Sequence, residues 1–233
     1  MTTDPPHRLA AIIQGLRRSV LRLLALLLAT TAGCFLLAPR LLSLLQQHLK
    51  QRLAFFTVTE PFLAHVKLAL AMATFLLIPF FTTWIWRALA KPFGFPARTL
   101  LWFVLFTCFL FYGGAAFCYC ITLPFGVDFL LEFQSSQLQP VIAIDHFVTF
   151  VALFVLAFGL IFELPIFMVF IAKVGLLRRE AFERNRRYAV LAISIVAALL
   201  TPTPDIFNMM LMGLPLYLLY EAGIVTIRLL RIT

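Results

Sequence analysis

Carboxylates are scarce in this chain, and so is charge of either sign. Ten aspartates and glutamates and nineteen lysines and arginines make only 12% of the 233 residues charged, against 63% hydrophobic. A water-soluble fold of this length needs a charged surface that these residues cannot supply, so a soluble domain is excluded. Cysteine is sparse too, and all four (Cys34, Cys108, Cys118, Cys120) lie within or at the end of apolar runs. Cys118 and Cys120 are two positions apart, which on a helix turns them about 200° from each other. With no histidine pattern to complete a zinc site, they read as small buried hydrophobes and not as a metal centre. Gly-x-Ser-x-Gly, paired intramembrane aspartates and His-Glu-x-x-His are all missing, so nothing points to an enzyme, and no cofactor is implied. A repeat of useful period is missing as well, which counts against the repeat-built architecture of small-solute transporters. No small-residue cleavage pattern follows the first apolar run, so no cleavable signal peptide is expected.

Long apolar runs are what the chain does have, and they predict an all-α membrane protein with six transmembrane helices. The spans fall at about 19–38, 64–86, 100–122, 147–172, 188–201 and 206–227, in one integral membrane domain over 1–233. Before the first, Leu9 to Leu16 carries helical spacing after Pro5 and Pro6 and suggests a short surface helix. Pro39 is expected to end the first span. Leu41, Leu45, Leu49 and Leu53 then form an amphipathic stripe too polar in its surroundings to cross. Glu60-Pro61-Phe62 reads as a turn into the second span, which Pro79 should kink. Trp84 and Trp86 read as an interfacial belt. In the third span, Gly113-Gly114-Ala115-Ala116 offers small residues that let another helix approach closely. The 26 phenylalanines are read as lipid contact and packing, and the four histidines (His7, His48, His65, His146) as span-edge groups.

The net charge of +9 might suggest nucleic acid, but the bases sit between apolar runs and form no recognition face. They gather at the N-terminus, 87–99, 173–187 and the C-terminus, against only Arg40, Lys50, Arg52 and Lys67 on the other side. That bias predicts both termini in the cytoplasm. The fifth span, Tyr188 to Thr201, is only about 14 residues, or about 21 Å, against a hydrocarbon core of about 30 Å. The turn at Thr201–Asp205 should therefore lie below the outer surface, or the bilayer should thin around it. The fifth and sixth spans are both expected to be short.

One carboxylate stands out. Glu163 lies inside the apolar run from Phe147 to Ala172, which is about 39 Å of helix. A carboxylate at that depth costs about 3 kcal/mol on insertion scales, so it marks a candidate functional site. The plainer reading is a protonated glutamate hydrogen-bonded to a neighbouring helix. Asp205 could cap the start of the sixth span. Glu221, near the cytoplasmic end of that span, reads as structural. Arg17, Arg18, Arg98 and the 184–187 cluster read as topology signals and contacts to anionic lipid.

Four stretches, in order along nearly the whole chain, resemble the TatC family, the multi-span receptor subunit of the twin-arginine protein translocase. They are Glu60-Pro61-Phe62 leading into Lys67; Phe111-Tyr112-Gly113 through Phe117-x-Tyr119 to Leu123-Pro124-Phe125; Phe158-Gly159-x-x-Phe162-Glu163-x-Pro165; and Arg184-x-Arg186-Arg187-Tyr188 through Leu200-Thr201-Pro202 to Asp205. The resemblance implies a cup-shaped bundle in the bacterial cytoplasmic (inner) membrane. It also implies binding of twin-arginine signal peptides on the cytoplasmic side and work with single-span partners of the TatA and TatB kind. Glu163, with Phe162 and Pro165, becomes a polar spot for a partner or substrate helix, and Asp205, Arg17 and Arg98 join it as binding positions. Glu60, Pro61 and Glu221 are expected to be structural.

The chain departs from the family at two carboxylates. The family's N-terminal glutamate falls on Gly15, and the glutamate of its first cytoplasmic loop falls near Pro96 or Ala97, with Arg98 retained; Thr203 lengthens the later threonine-proline turn. A guanidinium fork pairs bidentately with carboxylate, so these losses imply weakened twin-arginine recognition. The alternative is a diverged paralogue that lacks it.

Overall fold

The computed structural model describes residues 21–49, 53–132, 142–200 and 206–230. Ten helices account for almost all of them, and the element order follows the apolar runs. Helix α1 (Leu21–Phe35) turns through Leu36 and Leu37 into α2 (Ala38–Leu49), with 68° between their axes. Pro39 therefore opens a helix as well as closing one: in a first turn its missing N–H costs nothing. The buried face of α2 is Ala38, Leu42, Leu45 and Leu49, which keeps Leu45 and Leu49 of the predicted stripe and leaves Leu41 partly buried. Leu53 lies beyond the helix, in a two-residue strand β1 (Leu53–Ala54) paired in parallel with β2 (Ile142–Ala143).

Helix α3 (Glu60–Ala90) follows, then a 3₁₀ turn at Lys91–Phe93 and α4 (Ala97–Phe117). The third apolar run was expected to stop at 122. Instead a π-helical turn, Cys118–Thr122, carries it into α5 (Leu123–Glu132). Pro124 needs no break there, because the wide turn shifts the ladder to an i→i+5 bond, Leu123 N–H to the Cys118 carbonyl. The fourth run is two helices, α6 (Ile144–Ile161) and α7 (Leu164–Lys173), divided by Phe162 and Glu163. A short α8 (Arg179–Arg184), α9 (Arg186–Leu200) and α10 (Ile206–Leu229) complete the fold.

Among the described residues, Glu60–Ala90, Ala97–Val127, Ile144–Lys173 and Met212–Leu229 are each long and apolar enough to cross a membrane, and the bent α1–α2 pair makes a fifth candidate. This is a multi-pass helical membrane protein. At 15 residues, α9 is short, as expected. Helix α10 is not: its 24 residues make about 36 Å. The range 206–227 read from the sequence falls within this helix and is itself long enough to span.

Glycine fixes where the helices meet. A Cβ on Gly114 of α4 would lie 2.6 Å from the Phe162 ring, and one on Gly159 of α6 would lie 2.6 Å from the Phe111 ring. Each helix thus inserts a phenylalanine where the other has no side chain, the close approach predicted for the small-residue stretch. Gly223 of α10 does the same for Met168 and Pro165 of α7. These two pairings, α7 with α10 and α4 with α6, are the most extensive helix contacts among the described residues.

Pro79 lies inside α3 and cannot bond the Phe75 carbonyl four residues back. The Tyr112 hydroxyl, arriving from α4, donates to that carbonyl at 2.8 Å. The Thr83 hydroxyl, one turn on, donates to the Pro79 carbonyl at 2.6 Å. A proline defect in one helix is thereby repaired by its neighbour.

Candidate functional site

Glu163 owes its position to Pro165. Without an N–H, Pro165 cannot bond the Ile161 carbonyl, and the ladder tightens locally. The Glu163 N–H bonds the Leu160 carbonyl at 3.2 Å, and the Glu163 carbonyl accepts from Phe167 N–H at 3.1 Å. Backbone angles stay right-handed through Phe162 and Glu163, so the run continues after a single faulty turn. Phe162 fills the Gly114 socket and packs on Phe117 and Phe158. Pro165 is buried against α10.

The Glu163 side chain is 5% exposed, and neither carboxyl oxygen has a hydrogen-bond partner of good geometry among the described residues. The polar group acting on it is the Thr107 hydroxyl of α4. That oxygen in turn accepts from the indole N–H of Trp86, on α3, at 2.9 Å. An acid, an alcohol and an indole from three elements thus meet in an apolar interior: the Thr107 oxygen accepts from Trp86 and keeps its own O–H as the one donor acting on the acid, which no bond of good geometry reaches. Burial of a polar group without a bond is costly, so the arrangement favours any helix that brings a donor to it. Trp86 belongs to this core, packed on Phe103, Phe167 and Phe170 and 3% exposed. That corrects its reading as an interfacial residue; Trp84 is half-buried.

The other predicted positions do not join this cluster. Glu60 takes the Phe56 N–H at 2.9 Å as α3 begins, with Pro61 in the first turn and its carbonyl against His65 Nδ1. Both take part in the turn that opens α3. Glu221 is fully engaged: Arg186 donates to one oxygen at 2.9 Å and Tyr217 to the other at 3.0 Å, joining α9 to α10. Arg98 is exposed in the first turn of α4, which has no acid. Arg17 and Asp205 lie outside the described residues, as does Gly15.

One polar group of the fold went unread in the sequence. Lys67 of α3 pairs with Asp145 of α6 at 2.6 Å and donates to Thr149 at 3.1 Å. Asp145 lies just before the expected start of the fourth span at 147, yet Lys67 at the start of one apolar run and an acid at the start of another is a usable signal. Thr107 gave a fainter one, as a hydroxyl in an otherwise apolar stretch.

Comparison with known proteins agrees with this architecture. The sequence profile of the Sec-independent protein translocase protein (TatC) matches residues 11–215. The TatC of Carboxydothermus hydrogenoformans is 35% identical over 178 residues, 76% of this chain and 73% of that one. The Helicobacter pylori protein is 30% identical over 213 residues, 91% of this chain and 85% of that one. A crystal structure of the twin-arginine translocase receptor TatC in DDM superposes with a TM-score of 0.78 at 27% identity, covering 92% of this chain and 98% of that one. The chain belongs to the TatC family and is a component of the twin-arginine protein translocase.

Proposed function

We propose that this chain lies in the bacterial cytoplasmic (inner) membrane with six spans and both termini in the cytoplasm, and acts there as the receptor for twin-arginine cargo. On this reading α9 is the fifth of six crossings, and the base-rich segments 87–99 and 173–187 face the cytoplasm. Single-span partners of the TatA and TatB kind complete the passage for folded proteins. Glu163, flanked by Phe162 and Pro165, is the contact for a partner or substrate helix.

The observation that carries the reading is the unpartnered, buried Glu163 carboxyl. A glutamate kept only for stability would be expected to have its hydrogen bonds made, as Glu221 does. Export of a twin-arginine reporter in a strain lacking its own TatC tests this. Glu163→Ala should lower export strongly while the protein still accumulates in the membrane; unchanged export would sink the proposal.

A second reading within the same family is favoured by the start of α4. Pro96 occupies the N-cap, Ala97 follows, and no acid lies in the first turn, so the family's loop glutamate has no counterpart there. Arginine-dependent capture of the signal peptide at this loop should then be weak. Ordinary crosslinking of a twin-arginine peptide to 87–99, lost when its arginines become lysines, would contradict that.

A further inference from the structure

A groove of about 620 Å³ runs between α4, α7 and α10. Its walls are apolar, with Trp102, Phe106, Ile166, Val169 and Leu219 among them. Its mouth is at the end where α4 begins and α7 and α10 finish, marked by Thr99, Lys173, Thr226 and Leu230. From Thr99 to Leu110 the α4 wall is about 17 Å long. The groove is an elongated apolar slot that admits a hydrocarbon chain along this wall.

Charge at the mouth specifies the rest of the ligand. Lys173 is the one charged residue lining the groove. Its ammonium stands 5.6 and 5.7 Å from the ring centroids of Phe95 and Phe103, and it has no ion-pair partner among the described residues. The rings hold the cation at the edge of the apolar wall. Beside it, α4 starts with no side-chain cap and no acid in its first turn, so its backbone N–H groups add positive potential at the same place. Arg98 is exposed next to Thr99.

We propose that this groove is a binding site for one anionic glycerophospholipid. An acyl chain lies along the α4–α7 wall, and the phosphate sits between Lys173 and the first turn of α4. A zwitterionic headgroup fits less well, because its own ammonium would have to share the mouth with Lys173 and Arg98. In the orientation proposed above this is a lipid of the cytoplasmic leaflet, but the site itself does not depend on that orientation.

Native mass spectrometry of the purified chain in neutral detergent, loaded with phosphatidylglycerol or with phosphatidylcholine of the same acyl chains, tests the site. One cation near a lipid headgroup corresponds to about a fivefold preference, so phosphatidylglycerol should be retained about fivefold better. Lys173→Gln should remove that preference and Lys173→Arg should keep it; Lys173 is exposed, so neither change threatens the fold. Ala222→Trp, at another exposed lining position, should lower retention of both lipids by filling the groove. Inorganic phosphate should not displace the bound lipid, since it lacks the chain. Equal retention of the two lipids, a preference untouched by Lys173→Gln, or displacement by inorganic phosphate would each overturn the assignment.

Discussion

Replacing Tyr112 with phenylalanine removes a single oxygen, and the structure says what that oxygen does. It donates at 2.8 Å to the Phe75 carbonyl, the group that Pro79 cannot serve. An unsatisfied buried carbonyl costs about 1–3 kcal/mol. Hydrogen bonds between membrane helices average about 0.6 kcal/mol and reach about 1.7. Because Tyr112 is 40% exposed, the lower part of that range applies, and Tyr112→Phe should destabilise the fold by about 1 kcal/mol. Pro79→Ala supplies the control, since an alanine N–H at 79 can bond the Phe75 carbonyl directly. In that background Tyr112→Phe should cost much less, with a coupling of about 0.5 kcal/mol or more in the double-mutant cycle. Reversible unfolding in mixed detergent micelles, followed by helical circular dichroism, gives the four stabilities. Equal losses in the two backgrounds would show that the hydroxyl is not compensating for the proline.

Gly114→Ala should destabilise by about 1–3 kcal/mol through overpacking, because its Cβ would meet the Phe162 ring at 2.6 Å. Gly113→Ala, with nothing within 4 Å, should be neutral or slightly stabilising in the same unfolding assay. Glu163→Leu should leave stability unchanged or raise it, since it exchanges an unpartnered carboxyl for an apolar group, while twin-arginine export falls; a clear loss of stability would make the carboxyl structural. Asp145→Asn should cost about 1 kcal/mol or less, because Lys67 and Asp145 keep 40% and 20% of their side-chain surface exposed. Lys67→Met combined with Asp145→Leu should recover most of that loss.

What the sequence made legible follows from the range of each interaction. Pattern and composition report local preference, so the apolar runs, the short α9 and the amphipathic α2 could all be read. The glycines at 113 and 114 announced a close approach but not its partner, which is the Phe162 ring from a helix some forty residues away. Pro39 was read as a helix stop and Pro79 as a kink. Pro124 and Pro165 instead adjust the hydrogen-bond ladder locally, one through a π turn and one through a tightened turn, because neighbouring helices hold the axis in line. Asp145 was hidden by a helix start placed three residues too late, at 147 and not Ile144, and with it the Lys67 pair. The Glu163 anomaly was visible at once as a charge in the wrong solvent. Its setting was not, since it depends on Thr107 and Trp86 arriving from two other helices.

The break at Glu163 divides more than a helix. Upstream, α6 is keyed to α4 through Gly114 and Gly159; downstream, α7 is keyed to α10 through Gly223. Glu163 is therefore the joint between two blocks, each locked by its own interdigitated rings and sulfur. A rotation of one block against the other would be absorbed at the faulty turn, where the backbone bond to Ile161 is already gone. The carboxyl sits on that pivot, so a change of a few degrees between the blocks would alter its distance from Thr107 while leaving both packed interfaces whole.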